Sequence, residues 1–140
     1  MKLKHVFFAA SLLLAGATCS LMAELGDASK LPPPSKETGI TYTKHIKPLV
    51  DKSCVGCHGE NRPKGKYRMD SLEALIKGGS SDEAAVVKGQ SAKSPIVHYS
   101  ADLVEEMEMP PVDKREKYPA LTKQQIGLMR AWIDQGAKNN

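Results

Sequence analysis

From Ile40 onward, the apolar residues of this chain recur every three or four positions, which is the spacing of short amphipathic helices. Four such helices are predicted. Their apolar stripes are Ile46, Leu49 and Val50; Leu72, Leu75 and Ile76; Ile96, Val97 and Tyr99; and Ile126, Met129 and Ile133, with Leu128 and Trp132 beside the last. No alternating β-branched runs lie between hairpin signals, so the pattern predicts a small all-α domain.

Capping residues indicate where these helices begin and end. The predicted starts are Pro48, which opens or kinks the first helix, Asp70 with Glu73, Ser94-Pro95, and Thr122 with Gln125. The predicted ends are Gly78-Gly79 for the second helix and Gly136 for the last, because glycine readily adopts the left-handed conformation that terminates helices.

The amino terminus follows a different pattern. Lys2 and Lys4 precede an uncharged, mostly apolar run that ends in small residues, so residues 1–23 are predicted to be a signal peptide. An uncleaved membrane anchor and a lipid attached at Cys19 are the alternatives, although Thr18 is a poor residue to precede a lipidated cysteine. All three interpretations of the amino terminus place the body of the protein outside the cytoplasm. The protein is then periplasmic or secreted, and it is tethered to the membrane if the leader is retained.

Residues 24–39, which contain Pro32-Pro33-Pro34, are predicted to be a stiff linker, and residues 40–140 the helical domain. The 140 residues include only seven aromatics, of which five remain without the leader. A chain of this size buries one modest core, so the shortage of aromatic volume suggests that something other than side chains fills its centre. The formal charge of +4, or +2 without Lys2 and Lys4, is too close to neutral for nucleic-acid binding.

The sequence Cys54-Val55-Gly56-Cys57-His58 is the attachment signature of a c-type haem. Two residues between the cysteines allow both sulfurs to reach the two vinyl groups at one porphyrin edge, and His58 is then carried under the ring to bind iron. A covalent haem c also explains the missing core volume. The carbonyl that orients the other nitrogen of His58 is expected from residues 59–63, which follow the histidine directly.

Three competing roles for the motif are weaker. A thioredoxin-type dithiol requires a βαβ unit, which the helical pattern does not contain. A structural zinc site requires four ligands, and only His45 and His98 could add to the motif. A simple disulfide with His58 on the surface would leave the export signal and the missing core volume unexplained.

The sixth iron ligand distinguishes electron transfer from ligand chemistry, because a thioether favours reduced iron whereas an open position binds oxygen or peroxide. The methionine candidates are Met69, Met107, Met109 and Met129, and the histidine candidates are His45 and His98. Met129 and Met69 are expected in the core, and His98 on a helix surface. The prolines after Met109 would hold its sulfur at a fixed distance, but an exposed loop methionine is equally compatible with the spacing.

A longer set of residues resembles the planctomycete-type c-type cytochrome domain, a branch of class I cytochrome c, between about Ile40 and Ala137. The motifs that carry the resemblance are Ile46-x-Pro48-Leu49, Cys54-x-x-Cys57-His58-Gly59, Met69-Asp70-Ser71, Gly89, Ser94-Pro95-Ile96, Met109-Pro110-Pro111 and Trp132-Ile133-x-x-Gly136-Ala137. The resemblance implies a class I cytochrome c fold, about four short helices around one covalent haem, with Met109 as distal ligand opposite His58. It also implies that the first and last helices cross. Tyr67 and Met69 depart from the leucines that are frequent in the family.

These observations predict a monohaem one-electron carrier with no catalytic residues, which exchanges electrons with redox partner proteins. The alternative is a peroxidase-like enzyme or a ligand sensor with a labile sixth ligand. Catalysis at the open side of the haem would normally require an acid–base pair of side chains, and none stands out in the sequence. Residues 44–68 carry seven basic and two acidic side chains, whereas residues 102–117 carry six acidic and three basic ones. The basic segment is expected to steer an acidic partner toward the haem edge, unless both segments are simply solvated surface.

Overall fold

Five α-helices form the part of the chain that the computed structural model describes, which is residues 25–61, 63–81 and 83–139. They are α1 (Lys47–Ser53), α2 (Val55–His58), α3 (Leu72–Lys77), α4 (Pro95–Ser100) and α5 (Lys123–Asp134). A π-helical turn, Tyr42–Ile46, runs directly into α1, and 3₁₀ turns occupy Ala28–Lys30, Lys64–Lys66, Ser91–Lys93 and Val112–Lys114. These ranges contain no strand, so the predicted all-α class is confirmed.

The helix count exceeds the predicted four because the Cys-x-x-Cys-His segment forms a helix of its own, α2, directly after α1. The predicted signal peptide over residues 1–23 lies outside the described residues. Among the helices within them, none has the length and apolar character needed to cross a membrane.

The predicted start of α5 is confirmed in atomic detail. The Gln125 backbone N–H donates to Thr122 Oγ1 at 3.2 Å, and the Thr122 backbone N–H donates to Gln125 Oε1 at 2.8 Å, which is a complete capping box. At the other end, Gly136 has a φ of +99° just after the cap residue Gln135. The predicted glycine end of the helix is therefore also confirmed.

The predicted cap of α3 is wrong by one residue. Ser71, not Asp70, accepts a hydrogen bond from the Ala74 backbone N–H, at 3.2 Å. The Asp70 carboxylate instead receives the Arg68 guanidinium, with Nε 2.9 Å from Oδ1. Two good capping side chains stand side by side here, and Ser71 is the one whose extended backbone, with φ −134° and ψ 156°, places it at the cap position.

The core lies between the first helical segment and α5. Ile46, Val50, Met129 and Trp132 are each 0–1% exposed, and the rings of Tyr42 and Trp132 lie 6.0 Å apart. Leu49 packs against this cluster while remaining partly exposed. The expected contact between the first and last helical segments is therefore present, and Met129 is a core residue as predicted.

The segment predicted to be a linker packs on α5 in its described part, residues 25–39. Leu31 is 7% exposed, the Ser35 backbone N–H donates to the Gly127 carbonyl at 2.8 Å, and the Arg130 guanidinium donates to the Pro32 carbonyl. A Cβ at Gly127 would lie 2.6 Å from the Pro33 carbonyl oxygen, so the close approach of this segment requires glycine in the middle of the helix. The boundaries predicted at residues 23 and 39 stay predictions.

Candidate functional site

A cavity of about 360 Å³, within the size range of small-molecule sites, separates α2 from the loop that contains Met109. Cys54, Cys57 and His58 lie on its α2 side, and Met107 and Met109 line it from the loop. Further lining comes from α4, through Ile96, Tyr99 and Ser100. The lining of the cavity as a whole is mostly apolar. The fold therefore brings together at one cavity the two cysteines, the histidine and the methionine of the predicted haem site: Cys54, Cys57, His58 and Met109.

Cys54 and Cys57 are both free thiols within one helical turn. The Cys54 backbone N–H donates to the Val50 carbonyl at the end of α1, at 2.8 Å, and the Cys54 carbonyl accepts from the N–H groups of Cys57 at 3.0 Å and His58 at 2.9 Å. Both sulfurs and the imidazole consequently reach the same cavity. Burial raises the pKa of the Cys54 thiol to about 12, so this thiol stays protonated at neutral pH.

Gly56, between the two cysteines, has a structural role that the motif alone does not suggest. An added Cβ would overlap the ring of Tyr118 and lie 2.6 Å from its Oη. The segment that carries Tyr118 is tied to α1, because Ser53 Oγ donates to the Pro119 carbonyl at 2.7 Å. Tyr118 therefore packs directly over the Cys-x-x-Cys turn.

His58 is oriented by the backbone of Tyr67. Its Nδ1 lies 3.0 Å from the Tyr67 carbonyl oxygen, which can only accept, so Nδ1 carries the proton and Nε2 is left with a free lone pair. The expectation that residues 59–63 supply this carbonyl is wrong, because the oxygen within hydrogen-bond distance of Nδ1 belongs to Tyr67. Burial lowers the pKa of His58, which favours the neutral ring that a metal requires.

Tyr67 is itself held in place. Its hydroxyl donates to the Leu75 carbonyl at 2.8 Å, and its ring lies 5.4 Å from that of His58. Burial raises the pKa of the Tyr67 hydroxyl, so it remains a neutral donor. The departure of Tyr67 from the leucine frequent in the resembled family thus coincides with a hydrogen bond to α3 that leucine cannot make.

Three methionines line the cavity: Met69, Met107 and Met109. Met69 is 3% exposed, and its backbone N–H donates to the carbonyl of His58 at 2.7 Å. The backbone of Met69 therefore lies next to that of His58. Met107 is 39% exposed. Met109 is half-buried, and its backbone N–H donates to the Tyr99 carbonyl of α4 at 2.9 Å.

Neither of the other candidate histidines lines the cavity. His45 Nδ1 accepts from the Thr41 backbone N–H at 3.0 Å. His98 is fully buried and donates from Nε2 to the Ala92 carbonyl at 2.8 Å, so the expectation of a surface histidine is wrong. The described residues contain no group of three or more His, Cys, Asp or Glu side chains that could hold a metal ion.

An all-helical fold that presents a Cys-x-x-Cys-His turn to an apolar cavity is typical of a haem-binding c-type cytochrome. A family comparison points to the branch: residues 54–113 match the family described as Planctomycete cytochrome C, which supports a planctomycete-type cytochrome c domain in this part of the chain. The family implies covalently bound haem c and suggests electron transfer rather than catalysis. The comparisons with curated proteins and with solved structures found no match.

Proposed function

We propose that this protein is a monohaem electron carrier of the class I cytochrome c fold that works outside the cytoplasm. One haem c is bonded through thioethers to Cys54 and Cys57, and its iron lies between His58 and Met109. The observation that carries the proposal is the convergence of these four side chains on one apolar cavity.

The residues at the cavity fit this cofactor. Two free thiols on one helical turn suit the two vinyl groups, and the Nδ1 hydrogen bond of His58 leaves Nε2 available to iron. Haem supplies a one-electron ferrous–ferric couple when bound. The chain supplies the apolar walls that exclude water and the thioether that favours the reduced state and raises the potential.

Met109 is the best placed of the three methionines. Met69 starts beside His58, and Met107 is the most exposed of the three. Met109 is half-buried, and its backbone N–H is hydrogen-bonded to α4, which holds the Cα atom of Met109 in place. The resemblance to the cytochrome family points to the same residue.

The test is an absorption spectrum of ferric protein matured with the haem-attachment machinery, followed by reduction with dithionite and addition of carbon monoxide, which binds ferrous haem. We expect a methionine-to-ferric-iron charge-transfer band that is lost in Met109→Ala and kept in Met107→Ala, and no carbon monoxide binding by the unmodified protein. Rapid carbon monoxide binding by the unmodified protein would overturn the carrier and favour a ligand sensor or a peroxidase-like enzyme.

We further propose that the redox partner is an acidic protein that docks at the basic segment. The basic segment is residues 44–68, and its exposed Lys64 lines the cavity. Lys66 and Arg68, which follow Lys64 closely in the sequence, are exposed as well. Electron-transfer rates with the physiological partner, measured by stopped flow, should fall as salt rises. Rates that are equal at low and high salt would exclude this electrostatic steering.

A further inference from the structure

Arg115 makes three hydrogen bonds that close the loop containing Met109. Its Nε donates to the Pro110 carbonyl at 3.0 Å, Nη1 to Asp102 Oδ2 at 2.9 Å and Nη2 to Asp102 Oδ1 at 2.6 Å. Asp102 lies just after α4, where the loop begins, and Pro110 directly follows Met109. One planar guanidinium therefore joins the first residue of the loop to the residue next to the proposed ligand.

The backbone of Met109 is consequently held on both sides. Its own N–H donates to the Tyr99 carbonyl at 2.9 Å, and the carbonyl of the next residue, Pro110, accepts from Arg115. The loop start is held as well, because the Leu103 N–H donates to the His98 carbonyl of α4 at 3.1 Å. These contacts connect the Met109 backbone to a helix whose residues are part of the core.

We propose that Arg115 is a positioning residue for the axial methionine: its hydrogen bonds to Asp102 and Pro110 keep the Met109 sulfur at the iron. This inference rests on the proposed ligation by Met109. An exposed ion pair contributes little to global stability, and the Arg115 and Asp102 side chains are 26% and 42% exposed. The role of the pair is local, because it removes the loop conformations in which the sulfur leaves the iron.

The test measures how readily imidazole replaces the methionine in ferric protein. Imidazole binds only when the sulfur is off the iron, so its apparent affinity rises in proportion to that population. We expect about tenfold tighter imidazole binding in Arg115→Gln and in Asp102→Asn, which corresponds to about 1.4 kcal/mol. Arg115→Lys should resemble Arg115→Gln, because one ammonium group cannot reproduce the three-point contact of the fork.

Two variants separate positioning from charge. Arg115→Gln removes a positive charge and Asp102→Asn a negative one, so a purely electrostatic effect would move the reduction potential in opposite directions. Loss of the thioether lowers the potential in both. The matched control is Lys47→Gln, which removes an exposed ion pair on α1 whose Nζ and Asp51 Oδ2 lie 2.6 Å apart, and which should leave imidazole affinity unchanged.

The positioning role is overturned if Arg115→Gln and Asp102→Asn bind imidazole no more tightly than Lys47→Gln does. It is also overturned if the reduction potentials of the two variants move in opposite directions while their imidazole affinities stay unchanged. Met109→Ala reports on the ligation separately. If Met109→Ala keeps the charge-transfer band, the proposed ligation fails. If it loses the band and binds imidazole tightly while Arg115→Gln behaves as wild type, only the role of Arg115 fails.

Discussion

Replacing Gly56 by alanine tests the packing of Tyr118 over the Cys-x-x-Cys turn. The new methyl group would overlap the Tyr118 ring, and the ring cannot move away with its backbone. The Tyr118 N–H is bonded to the Lys114 carbonyl at 2.9 Å, and the Pro119 carbonyl accepts from Ser53 Oγ. Relief must therefore come from rotation of the ring away from its preferred rotamer or from a shift of α2.

Overpacking of this kind costs about 1–3 kcal/mol, of which an off-rotamer ring accounts for roughly 0.5–1.5 kcal/mol. Alanine also has a higher helix propensity than glycine, by up to about 1 kcal/mol, which partly offsets the cost. Tyr118→Ala removes the obstacle, so Gly56→Ala in that background should be neutral or stabilising. The coupling between the two substitutions should consequently be about 1–3 kcal/mol.

The assay is guanidinium unfolding of the four haem-loaded proteins, followed by far-ultraviolet circular dichroism, with haem content checked by absorbance. A double-mutant cycle cancels the helix-propensity contribution, which is the same in both backgrounds. If Gly56→Ala changes the free energy of unfolding equally with and without the Tyr118 ring, to within about 0.5 kcal/mol, the ring does not pack over Gly56 as described.

Three further predictions concern stability. His98→Leu removes the donor to the carbonyl of half-buried Ala92 and should cost about 1 kcal/mol in chemical denaturation, whereas no measurable effect would mean that this hydrogen bond is dispensable. Gly127→Ala should destabilise the protein despite its better helix propensity, because the methyl group meets the Pro33 carbonyl; a rise in melting temperature would contradict the packing of residues 25–39 on α5. The haem-free mature chain should be poorly folded, so circular dichroism showing the helicity and cooperative unfolding of the holoprotein would disprove the link between the sparse aromatic core and the cofactor.

Local patterns were sufficient to predict four of the five α-helices in the described residues, and the reactive motif. The capping box at Thr122, the proline at the start of α4 and the glycine after α5 all act on backbone groups a few residues away. The apolar spacing of α5 likewise predicted that Met129 and Trp132 are buried. The Cys-x-x-Cys-His motif is local too, since its two sulfurs and its imidazole are carried on one helical turn.

Contacts between distant parts of the chain determined the remainder of the site. The Tyr67 carbonyl beside His58, the burial of His98 and the packing of Tyr118 over Gly56 depend on where loops return in space, and no periodicity encodes this. The sequence by itself determined four of the five α-helices in the described residues and named the side chains proposed to bind a haem. Only the tertiary structure decided which backbone groups orient those side chains, because hydrogen-bond partners and burial are set by long-range packing, whereas helix formation is set by near neighbours.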